Sequence, residues 1–179
     1  MAAPAFDIVS DGRAQTAIIV PDEALPVVTY AAQELQYHIR RATGCELRIA
    51  LEREKPITYT GLIYLGETQK ATTIELALPD LPRNGFVMRL VGPDLILAGE
   101  DGQGPAVGGY RIKTLSGTLF AVYEFLETQL GVRWVWPGEL GEVIPETDAL
   151  REDELDVTQA PRVPVSCLRV SGRDSMLGW

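Results

Sequence analysis

The sequence predicts an α+β or α/β two-layer sandwich, in which a mixed, largely antiparallel sheet carries two main helices on one face. Three observations favour this fold class. Two segments of similar length, 28–42 and 119–130, have the apolar periodicity of amphipathic helices. Several short apolar runs bounded by Gly or Pro are typical of strands. Two of these runs, 86–90 and 95–98, are joined by a turn, and such a hairpin requires antiparallel pairing.

The first part of the chain predicts two buried strands and one half-buried strand. Residues 17–20 and 62–65 are continuous apolar runs, which end at Pro21 and Gly66. Residues 47–49 alternate apolar and polar side chains, which is the pattern of a strand with one solvated face.

The first long helix is predicted from apolar residues at helical spacing, which are Val28, Ala31, Ala32, Leu35, Ile39 and Ala42. Pro26 suits the first turn, where its missing N–H leaves no hydrogen bond unmade. Arg40 and Arg41 complement the dipole of the C-terminal turn, and Gly44 is placed to end the helix. A short second helix is predicted within 67–77.

The second half predicts a hairpin, a loop, another long helix and further strands. Turn-forming residues 91–94 join the strands of the hairpin, and the glycine-rich stretch 100–113 predicts an exposed loop. The helix that follows ends at Gly131, and its apolar face consists of Leu119, Val122, Tyr123, Leu126 and Leu130. Residues 133–136 alternate as a strand, and a last short strand is predicted near 155–157.

Charge and hydropathy argue against two classes of partner. The 25 acidic and 16 basic residues give a formal net charge of −9, which repels a phosphate backbone, so no nucleic acid is expected. No apolar run reaches the roughly 20 residues that span a bilayer, so no membrane partner is expected either. The start of the chain shows no signal-peptide pattern.

The two cysteines form no metal or redox motif. Cys45 and Cys167 are too far apart in sequence for a metal knuckle or a CxxC pair. A single disulfide and two buried free thiols are both open interpretations. The sequence therefore predicts no metal and no cofactor.

The chain offers no convincing catalytic constellation. Its single histidine, His38, follows Glu34 by four residues, which predicts a pair on the helix surface. Glu124 and Glu127 predict a solvated pair opposite the apolar stripe of the second long helix. The stretch 102–108 lacks the glycine spacing and the Lys of a phosphate-binding loop. No catalytic residue is assigned.

Trp134 and Trp136 are the residues best suited to contact a sugar or a neighbouring domain. Their matching parity on a strand predicts that both rings project from one face of the sheet. Burial in the core or against another domain is favoured over an exposed sugar platform. Glu139 in the following turn, and Tyr110 and Arg111 in the glycine-rich loop, are further candidates for such contacts.

A long part of the sequence resembles a known family of domains. The strings SGTLFAVYEFLE at 116–127, LGVRW at 130–134 and WPGE at 136–139 are similar to a pattern in the N-terminal α/β domain of bacterial family 67 α-glucuronidases. The domain that precedes the barrel of family 20 β-hexosaminidases is of the same type. The similarity runs in order over roughly residues 15–170.

The resemblance implies a single non-catalytic accessory domain over 1–170, with 171–179 as a tail leading toward a catalytic domain. In these families the catalytic acids lie in a downstream (β/α)8 barrel, which would be the main partner, and 161–168 would lead toward it. Carbohydrate is a further expected partner. A face without its barrel is expected to expose an apolar patch, which a homodimer would cover. The resemblance also favours a secreted or periplasmic parent enzyme.

The alternative interpretation is a free-standing module that binds carbohydrate or protein. One departure from the family pattern bears on it. The resembling domains join strand and helix by a short turn, whereas here an extra glycine-rich stretch separates Asp101 from Ser116. Any special role of this chain is expected in that loop.

Overall fold

The computed structural model describes residues 5–74, 76, 78–106, 114–136 and 138–161. Its strands are β1 (Phe6–Ser10), β2 (Arg13–Ala14), β3 (Ile18–Val20), β4 (Ile49–Leu51), β5 (Ile63–Leu65), β6 (Phe86–Val91), β7 (Asp94–Gly99), β8 (Arg133–Trp134), β9 (Glu142–Val143), β10 (Leu150–Glu152) and β11 (Asp156–Gln159). Its helices are α1 (Pro26–Thr43), α2 (Gln69–Thr73) and α3 (Gly117–Thr128). Short 3-10 turns cover Glu52–Glu54, Leu78–Asp80 and Glu139–Gly141.

The main sheet has six strands in the order β11-β6-β7-β5-β3-β4. β6 is antiparallel to β11 and β7, whereas β7, β5, β3 and β4 run parallel to one another. Among the described strands, five of eight pairings are antiparallel and three are parallel. The prediction of a mixed and mostly antiparallel arrangement is therefore confirmed for the strands together, but the main sheet itself is parallel in its second half.

The two long helices lie on the same face of the main sheet, as predicted. Alternate strand residues such as Ile18, Ile63 and Leu95 pack toward α1 and α3 in one apolar cluster. The residues between them, such as Ile19 and Ile96, pack on the opposite face, where Ala71, Leu76 and Leu78 cover them. Because both faces are covered, these strands read in sequence as continuous apolar runs.

The ends of α1 follow from its sequence. Pro26 occupies the first turn, and Gly44 ends the helix at a φ of 74° with its N–H donated to the Arg40 carbonyl. This left-handed conformation costs glycine little because it has no Cβ. The predicted boundaries of this helix are confirmed.

Two glycines allow α3 to start directly against the end of β7. A Cβ on Gly99 would lie 2.5 Å from the Gly117 carbonyl carbon, and a Cβ on Gly117 would lie 2.5 Å from the Glu100 nitrogen. The Gly117 N–H donates to the Glu100 carbonyl at 2.9 Å. The contact ties the helix to the sheet through backbone atoms, so neither position has room for a side chain.

Four strands outside the main sheet, β1, β2, β9 and β10, were not predicted. β1 pairs antiparallel with both β10 and β2 in a separate small sheet. β8 pairs only with β9, in a two-stranded ribbon that lies against the two long helices. We call residues 133–143 the ribbon.

The predicted strand 133–136 is wrong beyond Trp134. At Val135 the backbone N–H donates to the Gly141 carbonyl, and the chain bends at Trp136. The two tryptophans therefore do not share a face of the main sheet. The prediction from strand alternation was wrong because the strand ends after two residues and the ribbon then turns back.

Candidate functional site

A cleft of about 570 Å³ lies between α3, the ribbon and the edge of the main sheet. Its lining consists of Phe86, Phe120, Tyr123, Glu124, Glu127, Trp134, Trp136, Gly138, Gln159 and Pro161. The volume lies within the roughly 300–1,000 Å³ of small-molecule sites. Aromatic rings and two carboxylates therefore meet in one concave surface.

Helix α3 and the ribbon position these groups. Phe120, Glu124 and Glu127 follow one another at i, i+4 and i+7, so they share one side of α3. The opposite side of the helix carries Val122 and Phe125, which are fully buried. The predicted amphipathic pattern of α3 is correct, but its outward side forms a cleft wall rather than plain solvent-facing surface.

The ring of Trp134 rests on two other rings. It packs edge-to-face on His38 at a centroid distance of 5.3 Å and on Tyr123 at 5.2 Å. The Tyr123 hydroxyl donates to Glu34 Oε2 at 3.2 Å, and burial raises the pKa of Tyr123 far above its usual value. This packing holds Trp134 in place, with 38% of its surface left exposed.

His38 lies beneath Trp134 and is only 1% exposed, so the predicted helix-surface pair is wrong. The ribbon crosses α1 at this point and covers the imidazole. Nδ1 donates to the Glu34 carbonyl at 2.8 Å, while the Glu34 carboxylate lies 4.0 Å away. Nε2 has no hydrogen-bond partner among the described residues.

Replacing His38 with Leu is expected to raise the free energy of unfolding by about 1 kcal/mol at neutral pH. A buried polar atom without a partner costs roughly 1–3 kcal/mol, and Leu fills a similar volume without that atom. Urea denaturation measures the change. His38→Ala is the control for packing and is expected to destabilise, because it leaves a cavity under Trp134. A loss of stability in His38→Leu as large as that in His38→Ala would contradict a free-energy cost of the unpartnered Nε2 atom.

The charges of the cleft are negative. Its two ionisable carboxyl groups belong to Glu124 and Glu127, and the described lining contains no Lys, Arg or His. Arg133 lies nearby, but it donates to the Glu127 and Val132 carbonyls at 2.7 Å. Its side chain thereby caps the end of α3, and its Nη1 also lies 3.8 Å from Glu127 Oε1 in an exposed ion pair.

The structure brings together only part of the predicted contact residues. Trp134 and Trp136 line the cleft, and Trp136 is 73% exposed, so neither is buried in the core of this domain. Burial against another domain, the other part of that prediction, stays a prediction. Glu139 is exposed in the 3-10 turn and does not line the cleft. Tyr110 and Arg111 lie outside the described residues, as do Cys167 and the tail 171–179.

Of the ten lining residues, the sequence analysis named Trp134 and Trp136 as contact candidates and missed the other eight. Phe86 and Gln159 face each other across the β6–β11 pair, and Phe120 and Pro161 stand beside them. Phe120 could have been found from sequence, because it is a large apolar residue on the polar side of α3. In the fold it is 40% exposed. Gln159 and Pro161 carry no local signal, since only the pairing of β11 brings them to the cleft.

The tip of the ribbon exposes an apolar surface. Val135 is 70% exposed, Leu140 100% and Val143 51%. We call these three residues the ribbon patch. Singly exposed apolar residues are common, but three on one short ribbon make the ribbon a candidate for contact with another surface.

The described residues show no group of three or more His, Cys, Asp or Glu side chains that could hold a metal ion. None of their helices is both long and apolar enough to cross a membrane.

Comparisons with known proteins identify the fold and leave the family open. No protein-family model and no curated protein matches the sequence. A solved GH115 4-O-methyl-α-glucuronidase, with specificity for decorated arabinogalactans, superposes with a TM-score of 0.59 at 15% identity. The match covers 89% of this chain and 19% of that enzyme. The chain thus shares the fold of one segment of that glycoside hydrolase, and this segment makes up about a fifth of the enzyme's length.

Proposed function

We propose that the chain is a non-catalytic accessory domain of a glycoside hydrolase, of the type that precedes the barrel in family 67 and family 20 enzymes. The observation that carries the proposal is the fold match, which spans nearly all of this chain and only 19% of the GH115 enzyme. A domain of that relative size contributes surface to a larger enzyme. The cleft and the ribbon patch are the surfaces that this domain has to offer.

Docking on the catalytic domain is assigned to the ribbon patch. Leu140 is fully exposed, and burying such a side chain stabilises a complex by roughly 1.5–3 kcal/mol. Pro161, where the connection to a catalytic domain is expected to begin, lines the same cleft as Trp136 of the ribbon. Both points favour the ribbon side as the docking side.

Leu140→Asp is expected to weaken docking by at least tenfold without unfolding the domain. A carboxylate in an apolar interface is desolvated without a partner, whereas in the isolated chain this position is solvated. The measurement is calorimetric titration of the separately produced domain with the catalytic domain encoded in the same reading frame or beside it. Ile57→Asp is the matched control, because Ile57 is 95% exposed but lies in a loop before β5.

Two results would contradict the proposal. One is a reading frame and gene neighbourhood that encode no glycoside hydrolase. The other is wild-type docking in the Leu140→Asp variant. The first result, together with a monodisperse chain that binds carbohydrate, would favour a free-standing module instead.

A further inference from the structure

We infer that the cleft binds an uncharged pyranose sugar, as found in the neutral part of a glycan, and that it rejects uronic acids. This goes beyond docking, because it assigns a ligand class to a surface separate from the ribbon patch. The inference rests on the aromatic composition of the cleft, on the fixed position of Trp134 and on the sign of the lining charges.

The aromatic groups are exposed toward the cleft. Trp136, Phe120 and Trp134 are 73%, 40% and 38% exposed, respectively, and all three line it. Large aromatic rings left in water around one concavity form an apolar surface that a ligand can cover. A pyranose has an apolar face of C–H groups and a rim of hydroxyls, which matches rings beside polar groups.

One of the aromatic rings of the cleft, that of Trp134, is held in place before any ligand binds. Trp134 is packed edge-to-face on His38 and Tyr123, and its backbone pairs with Glu142 in the ribbon. The Tyr37 hydroxyl donates to Glu142 Oε2 at 3.2 Å, which fastens the ribbon to α1. A ring that is already ordered loses little conformational entropy on binding.

The polar groups of the cleft select for a hydroxyl-rich and uncharged ligand. Glu124 and Glu127 accept hydrogen bonds, and the Gln159 amide both donates and accepts them. Vicinal sugar hydroxyls can supply the donors that carboxylates need. A uronate would place a third negative charge beside these two. The described lining holds no cation, and the nearby Arg133 Nη1, 3.8 Å from Glu127 Oε1, is already engaged with that carboxylate.

The test is titration of the purified chain, followed by nuclear magnetic resonance and calorimetry. The probes are neutral xylo-, manno-, gluco- and galacto-oligosaccharides, and a matched oligosaccharide that ends in glucuronic acid. At least one neutral series is expected to bind saturably in the millimolar range or tighter. Trp136→Ala is expected to weaken that binding at least tenfold, and Val135→Ala, next to it but outside the cleft, is expected to leave it unchanged.

A double variant tests the effect of the two carboxylates. Exchanging Glu124 and Glu127 together for Gln is expected to change neutral-sugar affinity by less than about threefold, since amides still accept hydrogen bonds. The same exchange is expected to improve binding of the glucuronate probe, because it removes the repulsion. An unchanged affinity for the glucuronate probe after the exchange would overturn the assigned role of the two carboxylates.

Three results would overturn the inference itself: no saturable binding of any neutral probe, unchanged binding in Trp136→Ala, or tighter binding of glucuronate than of its neutral match. Leu140→Asp is expected to leave sugar binding intact, so failure of docking and failure of the sugar site are separable. If the cleft binds no sugar while docking holds, the cleft is part of the interdomain contact.

Discussion

Gly117→Ala is expected to lower the free energy of unfolding by about 3 kcal/mol, the upper part of the range for overpacking. The added Cβ would lie 2.5 Å from both the Gly85 oxygen and the Glu100 nitrogen, and 2.8 Å from the Gly99 carbonyl carbon. All three neighbours are backbone atoms, so no side chain can turn away to relieve the contact. The helix must shift off β7, and that disturbs the packing of α3 on the sheet.

Urea denaturation followed by circular dichroism measures this loss. Ser116→Ala is the matched control, because it alters the residue before Gly117 without adding an atom, and its change is expected to stay within about 0.5 kcal/mol. A Gly117→Ala variant within 1 kcal/mol of the wild type would mean that α3 does not approach β7 this closely.

Asp101→Asn is expected to stabilise the domain at pH 7.5 by about 2 kcal/mol and to have almost no effect near pH 3.5. Burial raises the pKa of Asp101 from 3.8 to about 6; hydrogen bonds from Thr118 oppose the rise, and Glu100 and Glu67 add to it. Because the folded pKa is the higher one, the folded state holds the proton more tightly. Stability is therefore fully present below pH 4 and is lost as the pH rises through 6.

The asparagine reproduces the uncharged acid. Asp101 Oδ1 accepts from the Thr118 N–H at 3.0 Å, and the amide oxygen of Asn can accept the same bond at the start of α3. The Thr118 hydroxyl donates to Oδ2, and in the variant the amide NH2 donates to that hydroxyl oxygen instead, as the O–H of the protonated acid would. Urea midpoints of the wild type and the variant, compared from pH 3.5 to 7.5, measure the difference. Burial also raises the pKa of Glu152 to about 7, so only the difference between the two proteins isolates Asp101. Equal pH profiles would contradict a desolvated Asp101 carboxylate.

Features set by local sequence could be predicted. The apolar runs that became β3 and β5, the stripe of α1 and its stop at Gly44 all depend on neighbouring residues. The hairpin of β6 and β7 was readable for the same reason, since turn-forming residues separate two strand-like runs.

Features set by distant pairing could not. β1 and β10 lie at opposite ends of the described chain and acquire their partners only in the folded state. His38 is buried because Trp134 of the ribbon covers it, and nothing near His38 in sequence indicates that contact. The cleft could be predicted only in part. Trp134 and Trp136 were named from sequence, whereas Gln159 joins them only through the pairing of β11.

We propose that this domain serves a glycoside hydrolase by contact and performs no hydrolysis itself. The most direct test is an assay of the purified chain with aryl-glycosides and with glucuronate-decorated oligosaccharides, at high protein concentration and over long incubation. No release of aglycone or sugar above the buffer blank is the predicted result. Hydrolysis that disappears when Glu124 and Glu127 are exchanged for Gln would contradict the claim, because it would make the cleft an active site.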